Sequence, residues 1–451
     1  MSPLAPELDT LLGSRREGHG LPRAFYHHDA LYALEMQKIW YEGWLFAGFA
    51  FEMPSPGDFL TFTVASTPVL VIRDDQGEVR AFHNVCRHRG TQLCRTDTGH
   101  VRAIVCPYHS WTYSRQGDLI ACQGMHDGVD KSALGLRPLH AEVCAGLIYV
   151  SLSEAPPDFG PLRARFEAAA RPQGFDRAKI ATITDYEVES NWKLVWENNR
   201  ECFHCVGRHP QYVKANFDVY EEEYASEAIR QKMAAAVDRT QSKWASQGIA
   251  ITHTHGGLAP FPDPDHDLWF AADRTVLAEG FDTESMDGRR VAPLMGDYRD
   301  ADVGVLRMRS MPNFWVHASC DHAVAARLLP AGPRTTRIRG YWLVRDDARE
   351  GEDYRLDQLL PFWHLTNEQD WEICKWQQRG VDSIGYQPGP LSQRKEYNVD
   401  AFIRWYLKQM QSGGRGAAAD VTHSAAPAAT IIATPRHPLL AANCMFTPVS
   451  W

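Results

Sequence analysis

The chain reads as an α+β protein, with a small all-β domain inserted before a larger domain built on an antiparallel sheet flanked by helices. Three observations predict this. Strand signals crowd one stretch, residues 45–152, where short β-branched and aromatic runs are separated by turn residues. A proline-rich joint, Ala155-Pro156-Pro157, closes that stretch. Beyond it, helical periodicity is interspersed with apolar–polar alternation, the mixture expected when helices cover a sheet.

Taken in order, residues 1–44 form a helical segment that packs with the larger domain. Asp29 caps an amphipathic helix running to Trp40. Pro54-Ser55-Pro56-Gly57 breaks the chain, and strands follow at 59–64, 69–73 and 78–82, with a turn at Asp74-Asp75-Gln76-Gly77. A strand at 101–105 and a turn at Arg115-Gln116-Gly117-Asp118 continue the pattern to about Ser151. Residues 153–411 form the larger domain. Helices are expected at 166–170, 191–205, 367–379 and 399–411, and a hairpin at 323–329 and 335–344 turns around Gly332-Pro333. Residues 412–451 are Ala-, Thr- and Pro-rich without periodicity and read as a tail.

The 451 residues provide two or three domains' worth of core, and 44% hydrophobic with 23% charged residues is an ordinary globular balance. A net charge of −9 with no Lys/Arg-rich run argues against a nucleic-acid footprint. No apolar stretch reaches the length of a membrane span, and Met1-Ser2-Pro3-Leu4-Ala5-Pro6 shows no export signal, so a cytoplasmic location is expected. Ten cysteines in that setting point to thiols and metal ligands, not to disulfides.

The strongest signal is Cys86-x-His88, seventeen residues, then Cys106-x-x-His109. Two thiolates and two imidazoles so spaced among short strands suit a Rieske [2Fe–2S] cluster, with cysteines on one iron and histidines on the other. A Cys2His2 zinc site would use the same residue types. Zinc motifs, however, usually begin with paired cysteines and keep their histidines together, whereas here each cysteine leads its own histidine.

A second metal site is read from Glu201-Cys202-Phe203-His204-Cys205-Val206-Gly207-Arg208-His209-Pro210. On the expected helix, Glu201 and His204 share a face, and Pro210 ends the segment after His209. Two imidazoles and one distant carboxylate would make the facial triad of a non-haem Fe(II) oxygenase. Asp370 is the preferred carboxylate, with Glu368 and Glu372 as competitors on the same acidic run. Cys202 and Cys205 read as small buried packing residues, not as redox or zinc ligands.

These residues resemble the oxygenase (alpha) subunits of Rieske non-haem iron oxygenases, and most of all the branch holding glycine betaine monooxygenase, stachydrine demethylase and choline monooxygenase. The matching motifs are Cys86-Arg87-His88-Arg89-Gly90, Cys106-Pro107-Tyr108-His109-Ser110-Trp111, Asn191-Trp192-Lys193-Leu194, Glu197-Asn198, Glu201-Cys202-Phe203-His204-Cys205 and Glu368-Gln369-Asp370-Trp371. The resemblance implies a mononuclear iron on His204, His209 and Asp370. It makes Glu201 the acid linking one subunit's cluster to its neighbour's iron, and hence implies a head-to-tail homotrimer. Thr91 and Tyr108 stand where respiratory Rieske proteins carry a disulfide, which favours the oxygenase class. Asn199 and Phe203 stand where betaine-type members tend to have Tyr.

The resemblance further implies a flavin and iron–sulfur reductase as partner, fed by NADH or NADPH. With dioxygen, the enzyme would hydroxylate an N-methyl group of a small betaine-like substrate and release formaldehyde. A quaternary ammonium calls for an aromatic cage, for which Phe314 and Trp315 are the candidates. One competing reading is an oxygenase for an aromatic or natural-product substrate. Another is a non-catalytic Rieske electron-transfer protein, which would have no use for Glu201, His204 and His209.

Overall fold

The computed structural model describes residues 10–126, 128–217, 219–220, 225–247, 249, 254–255 and 269–411; the 412–451 tail lies outside them. Strands β1 (Leu45–Phe49), β2 (Asp58–Val64), β3 (Thr67–Arg73), β4 (Val79–His83) and β5 (Thr98–His100) are followed by β6 (Ile104–Val105), β7 (Thr112–Tyr113), β8 (Leu119–Ala121), β9 (Pro138–Cys144) and β10 (Leu147–Ser151). They form an antiparallel sheet in the order β1-β10-β9-β4-β3-β2-β5 and a small β6-β7-β8 sheet. Of the strand expected at 101–105 only its end, β6, forms; β5 lies just before it and belongs to the other sheet.

The second large sheet is built from β11 (Ala178–Val188), β12 (Thr254–His255), β13 (Phe270–Thr275), β14 (Val305–Ser310), β15 (Phe314–Ala318), β16 (Ala323–Gly332) and β17 (Thr335–Arg345), in the order β11-β17-β16-β15-β14-β13-β12. It is antiparallel except for the β12–β13 pair. The expected hairpin is the β16–β17 pair.

Strand alternation gives this sheet two faces. Leu306, Met308, Phe314, Val316, Tyr341 and Leu343 pack against Phe46, Phe49 and Tyr149 of β1 and β10. The other face carries Val305, Val324, Trp342 and Val344, against Tyr212, Phe362 and Trp363.

The helix Trp192–Asn199 is capped by Asn191, whose side chain accepts from Lys193 N–H, and it is buried along its length. Glu35 holds it from below. That fully buried carboxylate receives Trp192 Nε1 at 2.7 Å, Lys193 Nζ at 2.6 Å and the Tyr406 hydroxyl at 2.6 Å. The chain's first helices and its last described one, Tyr397–Gln411, therefore meet on the same node. Near the N-terminus the helix is Asp29–Glu35, continuing as a π turn to Trp40, and its cap is His28 instead of Asp29: the His28 ring accepts from Ala30 N–H.

Candidate metal centres and active site

The two cluster loops are near copies of one another. Cys86 N–H donates to Thr91 O and Gly90 N–H to Cys86 O; Cys106 N–H donates to Trp111 O and Ser110 N–H to Cys106 O. Gly90 and Ser110 take the same left-handed turn, with φ of 77° and 57°. Glycine adopts it without steric cost, whereas serine is held there by the loop at about 1 kcal/mol. The repeat buries Cys86 and Cys106 as free thiols and leaves His88 and His109 partly exposed, their rings 4.7 Å apart. Trp111 stacks on His88, and exposed Tyr108 covers His109 at 3.8 Å. His88 Nδ1 is buried with no hydrogen-bond partner, and the Tyr113 hydroxyl lies 3.3 Å from Cys86 Sγ. Two buried thiols beneath two imidazoles, one with an orphaned nitrogen, fit a [2Fe–2S] cluster with split ligands.

The second centre departs from the sequence expectation locally. The helix expected over 191–205 stops at Asn199, and a new one runs Cys205–Arg208. Between them the Glu201 carboxylate accepts the backbone N–H groups of Phe203 and His204, replacing the carbonyls a continuing helix would supply. Glu201 and His204 therefore meet in a turn, not along a helical face. Pro210 ends one helix and opens the next, Pro210–Ala215, with His209 as its N-cap.

His204, His209 and Asp370 come together. Asp370 Oδ1 lies 3.1 Å from His204 Nε2 and 2.9 Å from His209 Nε2. Each imidazole turns its other nitrogen outward: His204 Nδ1 donates to Glu201 at 2.5 Å, and His209 Nδ1 to Gln369 Oε1 at 2.8 Å. Two imidazoles with Nε2 inward, a carboxylate between them and a hydrogen-bonded outer layer form a donor set that fits Fe(II). Burial lowers the His204 pKa, but the hydrogen bonds to Asp370 and Glu201 outweigh it and raise it to about 10. For Asp370, burial raises the carboxyl, yet its two imidazole partners hold it below the usual value. A metal entering here displaces a firmly held proton.

The competitors for the carboxylate point elsewhere: Glu368 lies 3.3 Å from His364 Nε2, and Glu372 pairs with Arg208 at 2.5 Å. Gln369 carried no role in the sequence reading; its signal was only its place beside Asp370.

Two expectations are corrected. Cys202 and Cys205 are joined by a disulfide, the intervening turn bringing their Cα atoms to 5.0 Å, while both remain buried in the apolar cluster behind the histidines. Phe314 does not line the site. It is fully buried on the opposite face of the sheet, 4.5 Å from Phe46. Trp315 faces the helix side but packs its ring against Trp196 at 5.2 Å. Adjacent residues on a strand point to opposite faces, so the two could never form one cage. Asn199 is partly buried at the helix end, and Phe203 is exposed.

Comparison with known proteins identifies both domains. Residues 43–132 match the Rieske [2Fe-2S] domain, and residues 175–412 match the ring hydroxylating alpha subunit catalytic domain. The second match sets aside the electron-transfer-only reading, and the first sets aside zinc. The chain is 38% identical over 91% of its length to the glycine betaine monooxygenase oxygenase subunit of Chromohalobacter salexigens, of which 91% is covered. It is 38% identical over 89% of its length to that of Pseudomonas aeruginosa, again covering 91%. The fold is that of a quaternary ammonium Rieske monooxygenase crystallised with L-carnitine, at 19% identity and a TM-score of 0.63, covering 89% of this chain and 99% of that one. No helix among the described residues is long and apolar enough to cross a membrane. With a Rieske domain followed by a catalytic non-haem iron domain, the chain belongs to the Rieske non-haem iron oxygenases, as an iron-dependent monooxygenase oxygenase subunit.

Proposed function

We propose that this subunit is the terminal oxygenase that hydroxylates an N-methyl carbon of a small quaternary ammonium, betaine-like substrate. The carbinol formed would collapse to formaldehyde and the demethylated amine. The observation that carries this reading is the His204/His209/Asp370 constellation with its Glu201 link, in a chain 38% identical to glycine betaine monooxygenase subunits over nearly their whole length.

In this reading Cys86, Cys106, His88 and His109 hold the cluster, and His204, His209 and Asp370 hold Fe(II). The metal would supply dioxygen activation when bound; the protein's own part is positioning. Glu201 and Gln369 fix the imidazole rings so that Nε2 faces inward. The division at residues 44, 152 and 411 separates the N-terminal segment, the cluster domain, the catalytic domain and the tail.

Glu201 also serves as the link to the cluster, through the partner subunit's His109. Two exposed apolar patches support a head-to-tail homotrimer. Val105 and Tyr108 border the cluster loops, and Phe203, Val206 and Trp376 border the iron site. Mating one patch to the other would cover both. A flavin and iron–sulfur reductase using NADH or NADPH delivers electrons to the cluster. The test is formaldehyde release from glycine betaine by the holoenzyme with a surrogate reductase; absence of release across a panel of methylated amines refutes the reading.

A further inference from the structure

The turn that carries His204 is closed by the Cys202–Cys205 disulfide, a bond that neither proposed ligand set uses. Its second sulfur sits among the ligands themselves. Cys205 Sγ lies 3.9 Å from His204 Nε2, the nitrogen that faces Asp370. That sulfur and the imidazoles of His204 and His209 present donor atoms that all fall within 4.8 Å of one another. Nitrogen and sulfur on one tetrahedral zinc ion, at about 2.0–2.1 Å and 2.3 Å from it, stand roughly 3.6 Å apart. The separation from His204 Nε2 exceeds that by only about 0.3 Å.

Backbone bonds hold the sulfur there independently of the bridge. Cys205 N–H donates to Cys202 O at 3.3 Å, and His209 N–H donates to Cys205 O at 2.8 Å. Cys205 also opens the helix Cys205–Arg208 and is buried in the apolar cluster that contains Tyr212 and Trp363. Breaking the S–S bond therefore leaves the Cys205 backbone beside the histidines. What the bridge controls is the sulfur's chemistry. In a disulfide it has no charge to offer a metal; as a free cysteine it binds as a thiolate, the softest donor at the site.

We propose that the Cys202–Cys205 disulfide guards the mononuclear site: closed, it withholds Cys205 from the metal, and open, Cys205 joins His204, His209 and Asp370 as a fourth donor. Two imidazoles and a carboxylate with open positions suit Fe(II), whereas an added thiolate moves the preference towards zinc. The redox state of this pair thus decides which metal the site keeps. The assignment rests on the ligand set proposed above and on no particular substrate. Opening is a two-electron reduction. A phosphine attacks one sulfur, the S–S bond breaks, and water supplies both the oxygen of the phosphine oxide and the protons of the two thiols.

The test exchanges the mononuclear iron of the full-length protein for zinc, keeping the cluster's visible spectrum intact, and reads the zinc K-edge X-ray absorption. Thiol counting under denaturing conditions fixes the state of the pair in each sample. With the bridge closed, the zinc should have nitrogen and oxygen neighbours only. After treatment with tris(2-carboxyethyl)phosphine, removed before measurement, a sulfur neighbour should appear at about 2.3 Å. Cys202→Ser, which leaves Cys205 without its partner, should show that sulfur untreated, and Cys205→Ser should show it in neither state. Zinc affinity should rise at least roughly tenfold when the bridge opens. Imidazole scattering without sulfur, in any sample whose Cys205 thiol is free, overturns the proposal. Zinc with no imidazole neighbours overturns the underlying ligand set instead.

Discussion

Glu201 accepts the Nδ1–H of His204 at 2.5 Å and so commits the opposite nitrogen of that ring to Asp370, 3.1 Å away. One carboxylate thus orients the ring of a proposed metal ligand while its own side chain remains near the surface. In the proposed assembly, orientation and electron entry would fall on the same residue.

Glu201→Gln keeps the size but replaces a charged acceptor with an amide. Both metal sites should stay filled and the cluster should still reduce. Turnover should fall about a hundredfold, at the upper end of what outer-layer changes cost. Single-turnover reoxidation of the reduced cluster by dioxygen and substrate is the measurement, and an unchanged rate refutes the link.

Replacing His204 or His209 by Ala should remove about one iron per subunit and leave the cluster's visible spectrum intact. Asp370→Ala should do the same, since Glu368 and Glu372 are engaged with His364 and Arg208. Iron analysis beside the spectrum checks this. Full iron in Asp370→Ala means that the carboxylate ligand is another residue.

His109→Cys should lower the cluster's reduction potential, because a thiolate adds negative charge where a neutral imidazole stood. Wild-type protein should hold two irons in the cluster and give a Rieske-type EPR signal on reduction. A colourless protein carrying zinc instead would remove the basis of this expectation.

Glu197 offers a test by pH. Burial raises its carboxyl to about 7, against the opposing pull of its hydrogen bond from Tyr26 and of Lys193. A carboxyl raised on folding contributes stability that is fully present below its unfolded value of 4.5 and is lost as pH rises through about 7. Glu197→Gln should therefore match wild type near pH 4 and be more stable at pH 8, by an amount on the order of 3 kcal/mol. Denaturant titrations at the two pH values read this directly; a gap that does not grow with pH refutes it.

What could be read from the chain follows the reach of each constraint. The cluster loops were legible because Cys86 with His88, and Cys106 with His109, are local pairs whose spacing is itself the chemistry. Asp370 lies 161 residues beyond His209, so no spacing rule reaches it, and the acidic run by itself left Glu368 and Glu372 as competitors. The break after Asn199 was hidden because Glu201 terminates the helix with a side chain, in a stretch holding neither Gly nor Pro before Gly207. Aromatic type singles out Phe314 and Trp315, but type alone does not say which face of a strand each takes. Period two along β15 puts Phe314 on one face and Trp315 on the other.

Glu35 gathers Trp192, Lys193 and Tyr406 around one buried charge, and the helix it secures leads straight into Glu201. The two extremities of the described fold therefore act as a clasp on the catalytic centre, though neither supplies a ligand. Loosening at either extremity would be felt at the iron before the sheets give way. Heating should then abolish turnover while the cluster, rooted in another sheet, keeps its colour.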